Sequence, residues 1–491
     1  MAPSREAPPC DQILDVEAMR AAEAALIAGG ISADELMQRA GRGVADYVWR
    51  MAAGRPVTVL AGVGNNGGDG YVIAEAIRVL YAPIGGSVAV VASGAPQTET
   101  ARRAAALYHG DVLDRHAERS GAVMVDALFG SGLTRPLSPE DAALLARLAA
   151  RHPHRIAVDV PSGVVSDTGV VLNPQVPQYD LTVALGAWKY AHMLMPAVAH
   201  MGALRLVGIG VAPVAHAGQV LRRPRAIRPP AADAHKYTRG CLTVIAGAMP
   251  GAAVLAARAA QGAGAGYVRV ASERPIGAPA DIVNGAMLLA EDERNTALLV
   301  GPGMGKDSAG EARLNAAFDA SILRNMPMVL DADALVLLKP RHVVGRPGMM
   351  TQRPGALIAT PHEGELATME GVFGLKGKTV DGANKIARAL ALAEKTGAVI
   401  VAKGPDTIIA SPQGQWLAAP RGTAWLSTAG TGDVLAGVIA SRLACGMPAF
   451  AAAAQGVWLH AEAARQAGVA FSASKLAETI PSALALCMAP A

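Results

Sequence analysis

Short apolar runs rich in β-branched residues recur along the chain, bounded by Gly, Pro, Asn or Asp and alternating with Ala-rich stretches of helical spacing. The first series predicts strands over 57–60, 88–91, 123–126, 156–160 and 181–185. A second predicts strands over 242–246, 267–270, 298–300, 328–331, 357–360 and 399–402. Alternation of this kind predicts an α/β protein whose parallel sheets are linked by crossover helices. Between the two series lies VAPVAHAGQVLRRPRAIRPPAADAH, where periodicity stops and Pro and Arg gather. A boundary near residue 220 follows, dividing 1–219 from 220–491. No repeat of fixed period relates the halves, so each is expected to carry its own chemistry.

Length and composition narrow this further. At 491 residues the chain is too long for one small domain and suits two large α/β domains. Hydrophobic residues reach 52% against 17% charged, enough for large cores and too little charge for disorder. The net charge of +4 is spread without a block of like charges, so neither nucleic acid nor an acidic polymer is expected as partner. Arg222, Arg223, Arg225 and Arg228 read as a phosphate-binding arm or, more commonly for such a stretch, as a solvated linker. No uninterrupted run of about 18 apolar residues suits a membrane span. Acidic and prolyl residues stand near the N-terminus where a signal peptide needs an apolar core, which points to the cytoplasm. Cys10, Cys241, Cys445 and Cys487 are scattered without a C-x-x-C pair, against a disulfide framework or zinc site.

After the strand VTVL comes AGVGNNGGDGYVIAEAI, a Gly-rich turn opening a helix. It formally satisfies G-x-G-x-x-G, but no acidic residue follows about 20 positions later to take ribose hydroxyls, so ordinary dinucleotide binding loses ground. The turn offers glycine amides at a helix N-terminus and the oxygens of Asn65, Asn66 and Asp69, either for an anion and a monovalent cation or merely as helix caps. Two further segments, VDALFGSGLTRPLS and VDVPSGVVSDTG, put Asp126 and Asp159 at strand ends followed by Gly, Ser and Pro. Three such turns on one sheet edge favour a ligand site over coincidence.

GVGNNGGDG, DALFGSGLTRP, VDVPSG and DLTVALGAWKYAHML together resemble the epimerase domain of the bifunctional NAD(P)H-hydrate repair enzymes, over about residues 10–215. The resemblance implies a Rossmann-like three-layer domain in which Asn65, Asn66, Gly67, Gly68 and Asp69 bind the hydrated nicotinamide nucleotide. It implies a second substrate loop of Gly130, Ser131, Gly132, Leu133, Thr134, Arg135 and Pro136, and Asp159 near the altered ring. Potassium would lie between Asn66, Asp126 and Ser162. Epimerising the hydroxyl-bearing carbon requires a group that handles a proton beside the ring nitrogen, and Asp159 is the candidate.

In the second half STAGTGDVLAGVIASRL sets Gly430, Gly432 and Asp433 before an Ala-rich helix. Glycine amides there suit a transferring phosphoryl group, and Asp433 suits proton removal from the attacking hydroxyl, the pattern of the ribokinase-like superfamily. VIVAKGPDTIIA predicts strand, turn and strand, with Lys403, Gly404 and Thr407 open to nucleotide phosphates. TPHEGE and VLDADAL place His362, Glu363, Glu365, Asp331 and Asp333 after strands; a solitary histidine is more often structural than catalytic.

With AGAMPGAAVLAARAAQGAGAGYV and LLVGPGMG, these motifs resemble the dehydratase domain of the same repair enzymes, over about residues 230–485. That implies Lys403, Gly404, Pro405, Asp406, Thr407 and Gly432 at the nucleotide, and Ala252 or Ala253, Gly303 or Gly305, His362 and Asp433 at the hydrated cofactor. The substrates implied are NADHX and NADPHX, with ADP as phosphoryl donor, magnesium assisting, and a homo-oligomer possible by family. The competing reading is a ribokinase-like small-molecule kinase fused to a non-catalytic nucleotide- or RNA-binding domain.

Overall fold

The computed structural model describes residues 11–225, 227–287, 289–343, 355–375 and 383–488. The chain divides into two compact units, Met1–Gln219 and Val220–Ala491.

The first unit contains strands β1 (Gln12–Leu14), β2 (Val57–Ala61), β3 (Val88–Ala92), β4 (Asp111–Leu113), β5 (Val123–Ala127), β6 (His154–Val158), β7 (Leu181–Leu185), β8 (Trp188–Lys189) and β9 (Ala203–Val207), with β10 (Gly218–Val220) at its end. Its helices are α1 (Val16–Ala28), α2 (Ala33–Ala52), α3 (Asn65–Tyr81), α4 (Glu99–Ala106) and α5 (Pro139–Ala150). Seven strands form one parallel sheet in the order β4-β3-β2-β5-β6-β7-β9. Its runs are apolar on both faces because both are covered: Val57, Val59 and Ala61 pack with α2 and α3, while Leu60 and Met124 pack with Leu144 and Leu148 of α5. Small strand β1 pairs with β10 and β8.

Strand order reverses between β2 and β5, the position where open α/β sheets form a crevice at the strands' carboxyl ends. Since β2, β5 and β6 are neighbours, the turns after Ala61, Ala127 and Val158 lie side by side. They touch closely: a Cβ on Gly62 would meet the Leu128 carbonyl oxygen at 1.8 Å, and one on Gly67 the Gly62 carbonyl oxygen at 1.8 Å.

The second unit contributes β11 (Cys241–Ile245), β12 (Tyr267–Ala271), β13 (Val283–Gly285), β14 (Ala297–Val300), β15 (Met328–Leu330), β16 (Leu357–Ala359), β17 (Val399–Ala402), β18 (Ile408–Ala410) and β19 (Trp416–Ala418). Their order is β13-β12-β11-β14-β15-β16-β17-β18-β19, parallel as far as β17 and closed by an antiparallel meander. Helices α6 (Pro250–Gly262), α7 (Ser308–Arg324), α8 (Asp333–Leu337), α9 (Pro340–Val343), α10 (Glu363–Val372), α11 (Lys385–Thr396), α12 (Thr431–Ala444), α13 (Ala449–Ala467) and α14 (Ala473–Ala485) complete it. Order again reverses at an inner pair, β11 and β14.

Every residue of α12 is buried except Gly432 and Asp433. Gly437 explains how the helix sits so deep, since a Cβ there would come within 2.1 Å of the Ala256 carbonyl oxygen on α6. Among the described residues no helix is long and apolar enough to cross a membrane. Cys241, Cys445 and Cys487 are free thiols; Cys10 lies outside the described residues.

Candidate active sites

In the first unit the three turns gather side chains about fully buried Asp126. Its Oδ1 accepts hydrogen bonds from the Leu128 amide at 3.1 Å and Ser162 Oγ at 2.7 Å. Its Oδ2 accepts from the Ser162 amide at 3.1 Å and the Tyr179 hydroxyl at 2.5 Å. Burial pushes its carboxyl above the usual range against the pull of those donors. Asn66 lies alongside, its Nδ2 buried without a hydrogen-bond partner. Its Oδ1 and Asp159 Oδ2 would stand 3.0 and 3.4 Å from a Cβ on Gly130, so any larger residue there would crowd both side chains. Among the described residues no three His, Cys, Asp or Glu gather as metal ligands. A single carboxylate with amide and hydroxyl oxygens instead fits a hard cation of low charge.

Asp159 follows β6 with φ of +65°, in the left-handed region. Its Oδ1 lies 2.5 Å from the Nζ of Lys189, which is fully buried and donates also to the Leu185 carbonyl at 2.5 Å. Oδ2 accepts from the Ser131 amide at 3.2 Å. His192 Nε2 lies 2.7 Å from the Asp159 carbonyl oxygen, and its Nδ1 accepts from the Lys189 amide at 2.9 Å, so Nε2 carries the proton. Burial and neighbouring Lys189 push this imidazole down to about 4, so it is neutral at physiological pH. For Asp159 burial acts upward, but Lys189 and the Ser131 amide prevail and hold the carboxyl below its usual value.

Asp69, one turn into α3, has the opposite setting. It is 8% exposed and forms no side-chain hydrogen bond among the described residues. Burial and the charges of Asp159 and Glu23 raise it well above the carboxylate range, outweighing Lys189. Asn65 turns outward to the hydroxyls of Thr98 and Thr100 at 2.6 and 2.9 Å. Of the 130–136 segment, Gly132, Thr134, Arg135 and Pro136 are exposed, Gly130 and Ser131 half-buried, and Leu133 buried.

In the second unit Asp331, 1% exposed, follows β15 and accepts from Lys403 Nζ at 2.6 Å and Thr360 Oγ1 at 2.7 Å. Lys403 thereby hangs over the start of α12, 3.7 Å from the place of a Cβ on Gly432. Asp433 faces this group half-buried; burial, with Asp331 beside it, pushes its carboxyl up to about 6 against the pull of Lys403. Asp333 Oδ2 accepts from the Gly305 amide at 2.9 Å and so secures the Gly303–Gly305 turn. The buried His460 lies 2.9 Å from the Thr431 carbonyl oxygen through Nε2 and underpins the helix start. A cavity of about 280 Å³ runs from Lys403, Gly404, Pro405 and Thr407 past Gly432 to the apolar side chains of Leu435 and Val457. Cationic, amide and apolar groups thus line one cavity, the mixture a nucleotide needs. A larger cavity of about 720 Å³ opens at the far end of α12, where Arg442 and Arg239 are occupied by the Ala263 and Gly264 carbonyls.

Several sequence candidates take different places. Ala253 is fully buried in the core, whereas Ala252 is partly exposed. Asp406 turns from the cavity to Lys385, 2.6 Å away. His362 caps α10, its Nδ1 accepting from the Gly364 and Glu365 amides, with its side chain largely exposed. Lys189, His192 and Tyr179 are not singled out by sequence reasoning; the available signal is a lysine and a histidine inside the otherwise apolar GAWKYAHML.

Comparison with known proteins matches two family models, one described as "YjeF-related protein N-terminus" over residues 33–191 and one as "NAD(P)H-hydrate dehydratase" over 242–485. The chain is 34% identical to the bifunctional NAD(P)H-hydrate repair enzyme Nnr of Mycobacterium tuberculosis, covering 89% of this chain and 90% of the relative. It is 32% identical to the enzyme of that name from Mycobacterium leprae, covering 96% and 98%. Among solved structures it is similar to an ADP/ATP-dependent NAD(P)H-hydrate dehydratase from Bacillus subtilis co-crystallised with ATP/Mg2+, at 27% identity and TM-score 0.43, covering 55% of this chain and 100% of that one.

Proposed function

The chain belongs to the bifunctional NAD(P)H-hydrate repair enzymes and returns hydrated NAD(P)H to use, an isomerase joined to a lyase, and from that premise we propose how its residues divide the work. Residues 1–219 interconvert the R and S epimers of NADHX and NADPHX, and residues 220–491 dehydrate the S form at the expense of ADP. The carrying observation is the pairing of Gly432 and Asp433 as the two unburied positions of α12, under Lys403 and beside a cavity lined by Lys403, Gly404, Thr407 and Gly432.

In the dehydratase half, Asp433 takes the proton of the C6 hydroxyl as that oxygen attacks the terminal phosphorus of ADP. Lys403 and the first amides of α12 hold the phosphoryl oxygens, and AMP departs. The C6 ester then loses inorganic phosphate with a proton from C5, restoring the double bond. Ala252 and the Gly303–Gly305 turn face the cofactor, and His362 stands at the rim. Magnesium bound with ADP would supply positive charge against its phosphates. In the epimerase half, Asn66, Asp69 and the 130–136 loop bind the dinucleotide, and Asp159 handles the proton at the altered ring. Potassium held by Asn66, Asp126 and Ser162 would fix the three turns electrostatically. The reading extends to a cytoplasmic site of action.

The test is to add the purified protein to both NADHX epimers with magnesium, potassium and ADP, following NADH absorbance and phosphate. Complete recovery with AMP and phosphate is expected, and lithium in place of potassium should slow only the R share. Recovery of one epimer's share alone would remove the first domain's role, and a stable phosphorylated product would identify a kinase.

A further inference from the structure

The epimerase site holds a second carboxyl group whose setting is unlike that of Asp159. Asp69 stands three residues after Asn66, on the same face of α3 near its N-terminus. The residue is more than nine-tenths buried, its carboxyl oxygens keep only a small opening to solvent, and no amide, hydroxyl or cation among the described residues hydrogen-bonds to it. A carboxyl group so short of water and donors loses far more as the ion than as the neutral acid. The charged groups that act on it are Glu23 from α1, Asp159 after β6 and Lys189 on β8, and Lys189 is held by Asp159 at 2.5 Å.

Resting on the epimerase reading above, we propose that Asp69 is the acid of the epimerisation, giving a proton to the ring nitrogen while Asp159 takes one from the hydroxyl. The C6 hydroxyl and N1 form a hemiaminal. Asp159 accepts the O–H proton, the oxygen closes a C=O bond, and the C6–N1 bond breaks with its electron pair passing to N1. N1 receives the proton of Asp69. Rotation about C5–C6 presents the other aldehyde face, and the reverse transfers close the ring as the other epimer, returning both carboxyl groups to their starting states. Two carboxyl groups with opposed settings are what such an exchange needs. Burial and two nearby negative charges favour the protonated form of Asp69, so activity should fall as pH rises through its raised value. Lys189 keeps Asp159 ionised, so activity should fall as pH drops through its lowered value.

The experiment uses the full-length protein without ADP, which silences dehydration, and follows one NADHX epimer turning into the other by chromatography. Asp69→Asn preserves shape but cannot transfer a proton. Its kcat should drop about 100-fold or more, with KM little changed and the alkaline limb of the pH profile gone. ADP-dependent dehydration of the S epimer by the same variant should be intact, establishing a folded chain. The C6 oxygen should be retained through a single turnover in 18O water. An unchanged kcat with raised KM would make Asp69 a binding residue only. A persisting alkaline limb, or solvent oxygen entering C6 at each turnover, would also overturn the proposal. If the unaltered protein does not interconvert the epimers, the epimerase reading itself fails, which is a distinct result.

Discussion

Asp433→Asn should lower ADP-dependent dehydration of the S epimer by about 100-fold or more while leaving epimerisation by the same chain untouched. The substitution keeps the side chain's volume at the start of a helix that is otherwise buried, so folding is spared. What disappears is the group that accepts the hydroxyl proton. The unaltered enzyme adds a second readout. Burial beside Asp331 raises Asp433 to about 6. A base must be ionised, so kcat/KM for dehydration should climb with pH through about 6 and then level, since kcat/KM reports the free enzyme. A variant that still consumes ADP and restores NADH at the original rate would end the assignment. A profile flat across that range would show that Asp433 accepts no proton.

Lys189→Met should damage the first domain in both stability and activity. The ammonium is wholly inside the protein and held by Asp159 and a backbone carbonyl. Removing one member of a buried ion pair strands the other, at about 3–5 kcal/mol. Peptide-resolved hydrogen exchange over β6 to β8 reads this locally, avoiding the assumption of one cooperative transition in a two-unit chain. The sign with pH is fixed by Asp159, which Lys189 helps hold below its usual value. The pair's contribution is complete above the unfolded carboxyl value, about 3.9, and fades as pH falls through the lowered folded one. In the variant burial acts unopposed by that ammonium and raises Asp159, so its deficit against the parent should narrow in acid. Epimerisation should fall with stability while dehydration persists. Equal protection and full epimerase rate would show the pair to be dispensable.

The sheets were legible because doubly covered parallel strands are continuous apolar runs cut off by turn residues. The run at 181–185 and its counterpart at 399–402 coincide with β7 and β17, and the others shift by a residue or two. Edge strands escaped. Asp111–Leu113 is largely exposed and Ala203–Val207 half-exposed, so neither carries the apolar density of an inner strand. Turns after adjacent strands announced a shared edge, and Asn66, Asp126, Asp159 and Ser162 do meet there. The pairs that tune those groups did not announce themselves. Lys189 reaches Asp159 across 30 positions and Lys403 reaches Asp331 across 72, through packing that no local spacing encodes. Asp406, placed at the nucleotide only by resemblance, likewise has a partner no local spacing encodes, Lys385 at 2.6 Å.

The left-handed backbone at Asp159 constrains how the first domain can evolve. Glycine, asparagine and aspartate enter that region readily, whereas a longer side chain resists it at of order 1–3 kcal/mol. The replacements the turn accepts most easily therefore discard the negative charge. Glutamate, the one replacement that keeps it, meets the backbone penalty and a setting fitted to a shorter carboxylate between Lys189 and the Ser131 amide. If the carboxylate does the work proposed for it, backbone and ion pair together leave position 159 little room to vary, and drift in this domain falls elsewhere.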